Sequence, residues 1–327
     1  MKRREFITLL GSSAVAWPLA AHAQRSAMPV IGVLESGTAT SPTSLTSEFH
    51  AGLRELGFVE GRNVAIEYRR ADAHYDRLPA LAADLVARKV ALIIASGNFA
   101  SPLAAKAATT TVPIVILVGV DPVETRLVAS LSRPGGNMTG VTIFGSHLFE
   151  KQLQMLRELR PKGRAIGILV NPQNPSHSVD RGFWKRFADP VGVPIEIVTA
   201  TAESDLEPTI AGLAAKQVDA LLVVADTLFG SNSERLGAVL LRHAMPAIFT
   251  ARQHAVAGGL ISYGGSFAEA KHNVGVYAGR ILKGEKPAGL PVLQPTRFDL
   301  VINLKTAKAL GIVVPNALLL QATELIE

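Results

Sequence analysis

The chain has 327 residues, 48% of them hydrophobic and 18% charged, with 33 Lys and Arg against 27 Asp and Glu for a formal charge of +6. That length can bury the apolar surface of two ordinary domains without staples. The absence of cysteine excludes disulfides, thiol catalysis and thiolate metal sites. The basic excess is spread thinly, with no run of five or six like charges and no basic face interleaved with aromatics, so composition gives no nucleic-acid footprint.

Residues 1–23, MKRREFITLLGSSAVAWPLAAHA, have the layout of a secretory signal peptide cut before Gln24. A basic start (Lys2, Arg3, Arg4) leads into the apolar run Phe6 to Ala21, and the segment ends in the small-x-small triplet Ala21-His22-Ala23. The run is broken by Gly11, Ser12, Ser13 and Pro18 and falls short of the roughly 20 residues that span a bilayer. The pair Arg3-Arg4 followed by Glu5, Phe6 and Ile7 resembles a twin-arginine export signal. The expected location is the periplasm, and the remaining 304 residues, with 30 basic and 26 acidic side chains, are expected to be soluble.

From Pro29 onward, short β-rich apolar runs alternate with amphipathic stretches. Strands are predicted at 30–34, 64–68, 91–95 and 114–118, then at 166–170, 194–198, 219–224, 246–250 and 259–263. Helical patterns fall at 44–56, 74–88, 147–160, 203–216, 232–244 and 267–283. Continuous apolar strands alternating with helices signify parallel sheets covered on both faces, an α/β doubly wound class.

The chain nearly repeats itself. IGVLES (31–36) aligns with IGILVN (166–171), LAADLVARKVALIIASGN (81–98) with IAGLAAKQVDALLVVAD (210–226), and VPIVILV (112–118) with MPAIFTA (245–251). Three matches in one order, at nearly one offset, predict two α/β lobes of the same topology. Small-residue stretches at 135–146 and 258–266, and the Pro-rich 285–295, sit where the lobes could exchange chain. The predicted lobes are 29–143 plus 264–288 and 144–263 plus 289–327. Hinge rotation is expected around Val141–Ile143, Ser262–Gly264 and Gln294–Arg297.

Ligands of parallel sheets bind at the carboxyl ends of the strands. Those ends carry small polar residues here: Ser36-Gly37, Ser96-Gly97-Asn98 and Asp121 in the first lobe, Asn171, Asn174 and Asp226-Thr227 in the second. Singly, each reads as a helix cap or turn former. As two facing sets they suit a small polar ligand, with hydroxyls and amides for a carboxylate and Asp226 for an ammonium. The repeat partner of Asp226 is the neutral Asn98, which places the negative charge in one lobe only.

Catalytic patterns are scarce. Gly32 to Thr38 has the spacing of a phosphate-binding P-loop but puts Thr where Lys is needed, so it reads as a turn. There is no G-x-G-x-x-G after a strand and no G-x-S-x-G elbow. The eight histidines show no i, i+3 or i, i+4 pair to hold a metal, and His147 and His243 read as helix-surface residues.

ASPLAAKAATTTVPIVILVGVDPVETRLVASLSRPGGNMTGVT (100–142) resembles the signature of the tryptophan-type ABC transporter substrate-binding proteins. GILVNPQNP (167–175), PAIFTARQHAVAGGLISYG (246–264) and ILKGEKPAGLPVLQPTRFDLVINLKTAKALGIVVP (281–315) extend the likeness over nearly the whole exported chain. The resemblance implies the type I periplasmic-binding-protein fold, with two lobes, three crossovers and a cleft. It implies a non-enzymatic monomer without cofactor or metal that delivers an amino acid or related small molecule to a permease and its ATPase subunits. Residue by residue, it puts Ser36 and Gly37 in the first cleft loop and Ser96 and Gly97 where a carboxylate is taken. Asp121 falls in the DPV turn, Thr142 on the hinge side, Asn171 and Asn174 in the NPxNP loop, and Asp226 as ammonium partner. Tyr263 is a further candidate ligand contact. The chain departs from the family at 96–99, where Ser96-Gly97-Asn98-Phe99 replaces a Thr-Gly-Gly-type loop and Phe99 could stack on a ligand ring. Two other readings remain: an exported ligand-sensing subunit of a membrane signalling system, and an exported α/β hydrolase.

Overall fold

The structure is a computed structural model that describes residues 28–41, 44–45, 47–143, 148–175 and 180–327. The export segment 1–23 and His147 lie outside the described residues. In the first lobe, β1 (Val30–Glu35), β2 (Ala65–Arg70), β3 (Leu92–Ser96), β4 (Ile114–Val118) and β5 (Met138–Thr142) form one parallel sheet in the order β2-β1-β3-β4-β5. Every residue of β3, β4 and β5 is buried, because helices cover both faces. On one face Leu78, Ala82 and Leu85 of α2 (Leu78–Ala87) and Ala104 and Ala105 of α3 (Ala100–Ala108) meet Ile93 and Ile116. On the other face Phe49 and Leu53 of α1 (Ser47–Glu55) meet Val33, Ile94 and Val115.

The second lobe repeats the pattern. It contains α4 (Leu148–Leu159), β6 (Ile166–Val170), α5 (Arg181–Ala188), β7 (Ile195–Thr199), α6 (Leu206–Ala215) and β8 (Ala220–Val223). Then come α7 (Thr227–Ser231), α8 (Ser233–Arg242), β9 (Ala247–Phe249), α9 (Arg252–Val256) and β10 (Ile261–Gly265). The sheet order β7-β6-β8-β9-β10 reproduces that of the first lobe strand for strand, so the three sequence repeats fall on β1 and β6, on the helix and strand α2–β3 and α6–β8, and on β4 and β9. The sheet then continues through β11 (Phe298–Asn303), antiparallel to β10, and β12 (Glu324–Ile326). Between those two strands lie α11 (Leu304–Ala309) and α12 (Asn316–Gln321).

The helix that follows the fifth strand crosses over in each lobe. Leu153 and Leu156 of α4 pack in the second lobe's core. Ala270, Val274 and Tyr277 of α10 (Phe267–Leu282) pack in the first lobe's core against Phe49 and Val115. Leu290 and Val292 are also buried in first-lobe clusters, and Leu293 bridges Val141. The first lobe therefore keeps the chain up to Leu293, beyond the boundary at 288 read from the sequence, because apolar residues of the Pro-rich stretch fill its base.

β5 stands where the sequence suggests a Gly-rich crossing. Gly140 there has φ of +149°, and a Cβ would collide with the Ile116 backbone, so only glycine lets the strand lie against β4. Thr139 is buried, and its hydroxyl donates to the Leu290 carbonyl at 2.6 Å. The three crossings run side by side: Gly265 lies against Ile143 and Pro295, Thr142 N donates to Leu293 O at 2.9 Å, and Ser266 N donates to Arg297 O at 3.1 Å. Ser262–Gly264, expected in a hinge, are instead paired within β10, which stays paired through Gly265, so the chain leaves the sheet at Ser266. No helix among the described residues is long and apolar enough to cross a membrane.

Candidate functional site

The carboxyl ends of both sheets face one another across a cavity of about 410 Å³. The loop from β3 to α3 contributes Gly97, Asn98 and Phe99, and the turn after β4 contributes Asp121 and Glu124. The second lobe contributes Asn174, Asp226 and Thr227 beside Phe149 and the aromatic face of α5. One end of the cavity is polar and the other is apolar.

Asp226 organises the polar end. It is 8% exposed and caps α7, its Oδ1 accepting from Leu228 N at 2.9 Å. Asn171 Nδ2 donates to Oδ1 at 3.0 Å and Asn174 Nδ2 to Oδ2 at 2.8 Å. The Tyr75 hydroxyl, from the 3-10 turn Tyr75–Arg77 of the first lobe, donates to both oxygens at 3.1 Å. Burial and the Asp226 carboxylate both push the Tyr75 hydroxyl far up, so it keeps the proton it donates. Beside this contact Ser36 Oγ and Thr227 Oγ1 lie 3.0 Å apart, a second hydrogen bond between the lobes. These contacts hold the lobes in a closed arrangement.

The first-lobe side of the cavity is a loop over the N-terminus of α3. Asn98 N donates to Ser36 Oγ at 2.9 Å, and Asn98 Oδ1 accepts from Ala100 N at 2.9 Å, which orients its amide. Gly97 has φ of +110° and a Cβ there would strike Ser36 Oγ, so glycine is required for this approach. Asn98 is buried, and its Nδ2 makes no hydrogen bond; the buried hydroxyls of Ser96 and Ser101 in the same region make none either. A helix N-terminus with spare donors is a place for an anion.

The apolar end is a nest of rings. Trp184 is fully packed, edge-on to Phe149 at 5.0 Å and to Phe183 at 5.1 Å, and Phe187 lies 5.4 Å from Phe149. Phe99 and Phe267, which pack on the first lobe's core, also line the cavity. The Arg186 guanidinium lies over Phe183 at 4.6 Å and pairs with Glu124 of the first lobe at 3.9 Å. His254, also lining the cavity, stacks on Phe249 at 4.7 Å; burial pushes its pKa down to about 4, so it is neutral.

Of the residues singled out in the sequence, Gly97, Asn98, Phe99, Asp121, Asn174 and Asp226 line the cavity. Ser36, Gly37 and Asn171 stand behind it: Ser36 and Asn171 hold Thr227 and Asp226, and Gly37 packs too tightly on Ser41 and Thr227 to carry a side chain. Ser96 is buried beneath the loop, with its carbonyl accepting from Ser36 N at 3.3 Å. Thr142 does not reach the cavity, because its hydroxyl donates to Val120 O at 2.9 Å. Tyr263 points away and stacks on Phe298 at 5.6 Å, since β10 and β11 pair there. Asp121 lines the wall but spends Oδ1 on the amides of Val123 and Glu124. Sequence reasoning missed Tyr75, Phe149 and the FWKRF run of α5, although three aromatics within five residues were a visible signal. Among the described residues, no group of three or more His, Asp and Glu could hold a metal ion.

Known proteins share this architecture. The chain is 27% identical over 262 residues, 80% of its length and 75% of the other's, to the tyrosine-binding protein of Clostridioides difficile strain R20291. It superposes with a TM-score of 0.82 and 25% identity on a conserved domain protein of Vibrio cholerae, covering 91% of this chain and all of that one. The ABC domain of Streptococcus pneumonia in complex with L-Trp gives 0.81 at 24% identity, covering 92% of this chain and all of that one. The two lobes and parallel sheets are those of type I periplasmic binding proteins. Residues 30–326 match the ABC transporter substrate binding protein family, and the chain belongs to that family.

Proposed function

We propose that this chain is the periplasmic receptor of an ABC importer, which takes a small carboxylate-bearing aromatic molecule of amino-acid size into the inter-lobe cavity and hands it to the permease. The observation that carries the reading is the two-ended cavity. Asn98 Nδ2 and the N-terminus of α3 offer donors for a carboxylate at one end, and Phe99, Phe183 and Phe187 offer ring faces at the other. Aromatic pairs add about 0.5–1.5 kcal/mol beyond burial, and the donors fix orientation. The relative named as a tyrosine-binding protein supports an aromatic ligand. Export rests on the layout of residues 1–23.

A thermal-shift screen of the chain beginning at Gln24, against the amino acids and small aromatic acids, tests this. A ligand at 100 times its dissociation constant adds about 2.7 kcal/mol of stability. The expected hits carry both a ring and a carboxylate. A screen in which such compounds give no shift while sugars or aliphatic polyols do would remove the reading.

A further inference from the structure

The Asp226 carboxylate, the group to which an amino acid would offer its ammonium, is already met on both oxygens. Oδ1 accepts from Leu228 N, Asn171 Nδ2 and Tyr75 OH, and Oδ2 from Asn174 Nδ2 and Tyr75 OH, all between 2.8 and 3.1 Å. Two carboxylate oxygens offer about four lone-pair sites, so the protein's own donors saturate them. Of the other acids on the cavity wall, Asp121 spends Oδ1 on the amides of Val123 and Glu124, and Glu124 forms an exposed pair with Arg186 at 3.9 Å. Asn98 lines the cavity, and its buried Nδ2, a donor without a hydrogen-bond partner, lies beside the Tyr75 hydroxyl. An anion finds unused donors here, and a cation finds no unused acceptor in Asp226.

We propose that the ligand is an aromatic carboxylic acid without an α-ammonium group, and that Tyr75 determines this specificity by occupying Asp226. This rests on the reading that a carboxylate-bearing aromatic molecule enters the cavity. In such a site the bridge between the lobes, which an amino acid's ammonium would otherwise provide, comes from the Tyr75 hydroxyl. The ligand supplies only its carboxylate and its ring. An ammonium placed at Asp226 meets a carboxylate already filled by the protein's donors, and displacing Tyr75 to free it breaks the closing contact.

The test is calorimetric titration with two matched pairs: L-tryptophan with indole-3-propionic acid, and L-tyrosine with 3-(4-hydroxyphenyl)propionic acid. Within each pair only the ammonium differs. The wild-type chain should bind the des-amino member of at least one pair about tenfold or more tightly, the usual scale for a charged group left without its partner. Tyr75→Phe should shift the ratio of the two dissociation constants toward the amino acid by a similar factor. Using the ratio cancels any general loss of closure. Equal or tighter wild-type binding of the amino acids would overturn the inference while leaving the aromatic-ligand reading intact. Binding of neither member of either pair would overturn both. The wild-type comparison decides even if Tyr75→Phe does not fold.

Discussion

A carboxylate surrounded entirely by donors behaves differently from one that awaits a cation. If Asp226 is replaced by Asn, the new amide must turn its N–H₂ toward Asn174 Nδ2 or toward Asn171 Nδ2 and Leu228 N, which all donate, and only the Tyr75 hydroxyl can turn to accept from it. Asn171 cannot flip freely, because its Oδ1 accepts from Gln173 N at 3.0 Å. Asp226→Asn is therefore expected to lower stability by about 1–3 kcal/mol, read as a shift in the urea midpoint. A midpoint within about 0.3 kcal/mol of wild type would show that the carboxylate is not holding this network. His254 gives a pH signature. Burial holds its folded pKa near 4 against about 6.5 when unfolded, so the unfolded chain binds the extra proton first. The stability this confers is complete above about pH 6.5 and is lost as pH falls toward 4, by up to about 3 kcal/mol. Denaturant titrations between about pH 7 and 4.5 should show a shallower slope in His254→Gln than in wild type; identical slopes would contradict the buried neutral ring. Asn98 and Asp226 were legible in the sequence because they stand at strand ends in repeated segments. Tyr75 was not, because a tyrosine in a turn between two elements carries no periodic signal, and its partner is 151 residues away.

At the scale of elements, nine predicted strands coincide with observed ones to within one or two residues, because apolar runs covered on both faces have few alternatives. Met138–Thr142 was hidden by glycine and threonine, whose roles there are close approach and a buried hydrogen bond. Phe298–Asn303 and Glu324–Ile326 lie outside the repeat, so no second copy marked them. The lobe boundaries read from the sequence placed 264–288, and with it α10, in the first lobe, where Ala270, Val274 and Tyr277 pack, but nothing marked its seat against α1. Its seat depends on glycine: a Cβ at Gly275 would collide with Phe49 O and press on Leu53 N at 2.8 Å, and one at Gly52 with His272 O. The contact brings the two helix backbones together. Gly275→Ala is expected to force α1 and α10 apart, costing about 1–3 kcal/mol despite the better helix propensity of alanine. A melting temperature equal to or above wild type would contradict the close backbone seat.

At the scale of the molecule, the duplicated topology and facing strand ends were readable from three sequence matches, whereas the state of the cleft was not. Closure depends on Tyr75 with Asp226, Ser36 with Thr227 and Glu124 with Arg186, pairs drawn from opposite lobes. Removing one contact that exists only in the closed form shifts the population toward the open form. Ligand-free Tyr75→Phe should accordingly show a larger radius of gyration in solution scattering than ligand-free wild type. Superimposable profiles would mean that the Tyr75 contact does not govern closure. The central claim is that the cavity between the lobes is the ligand site, with its polar and aromatic ends as described. A crystal structure with the tightest compound from the thermal-shift screen tests it most directly. One molecule should lie between the lobes, its carboxylate within hydrogen-bonding distance of Asn98 Nδ2 and its ring against Phe99, Phe183 or Phe187. A ligand bound elsewhere on the chain, or reversed so that its ring lies beside Asp226, would contradict the account.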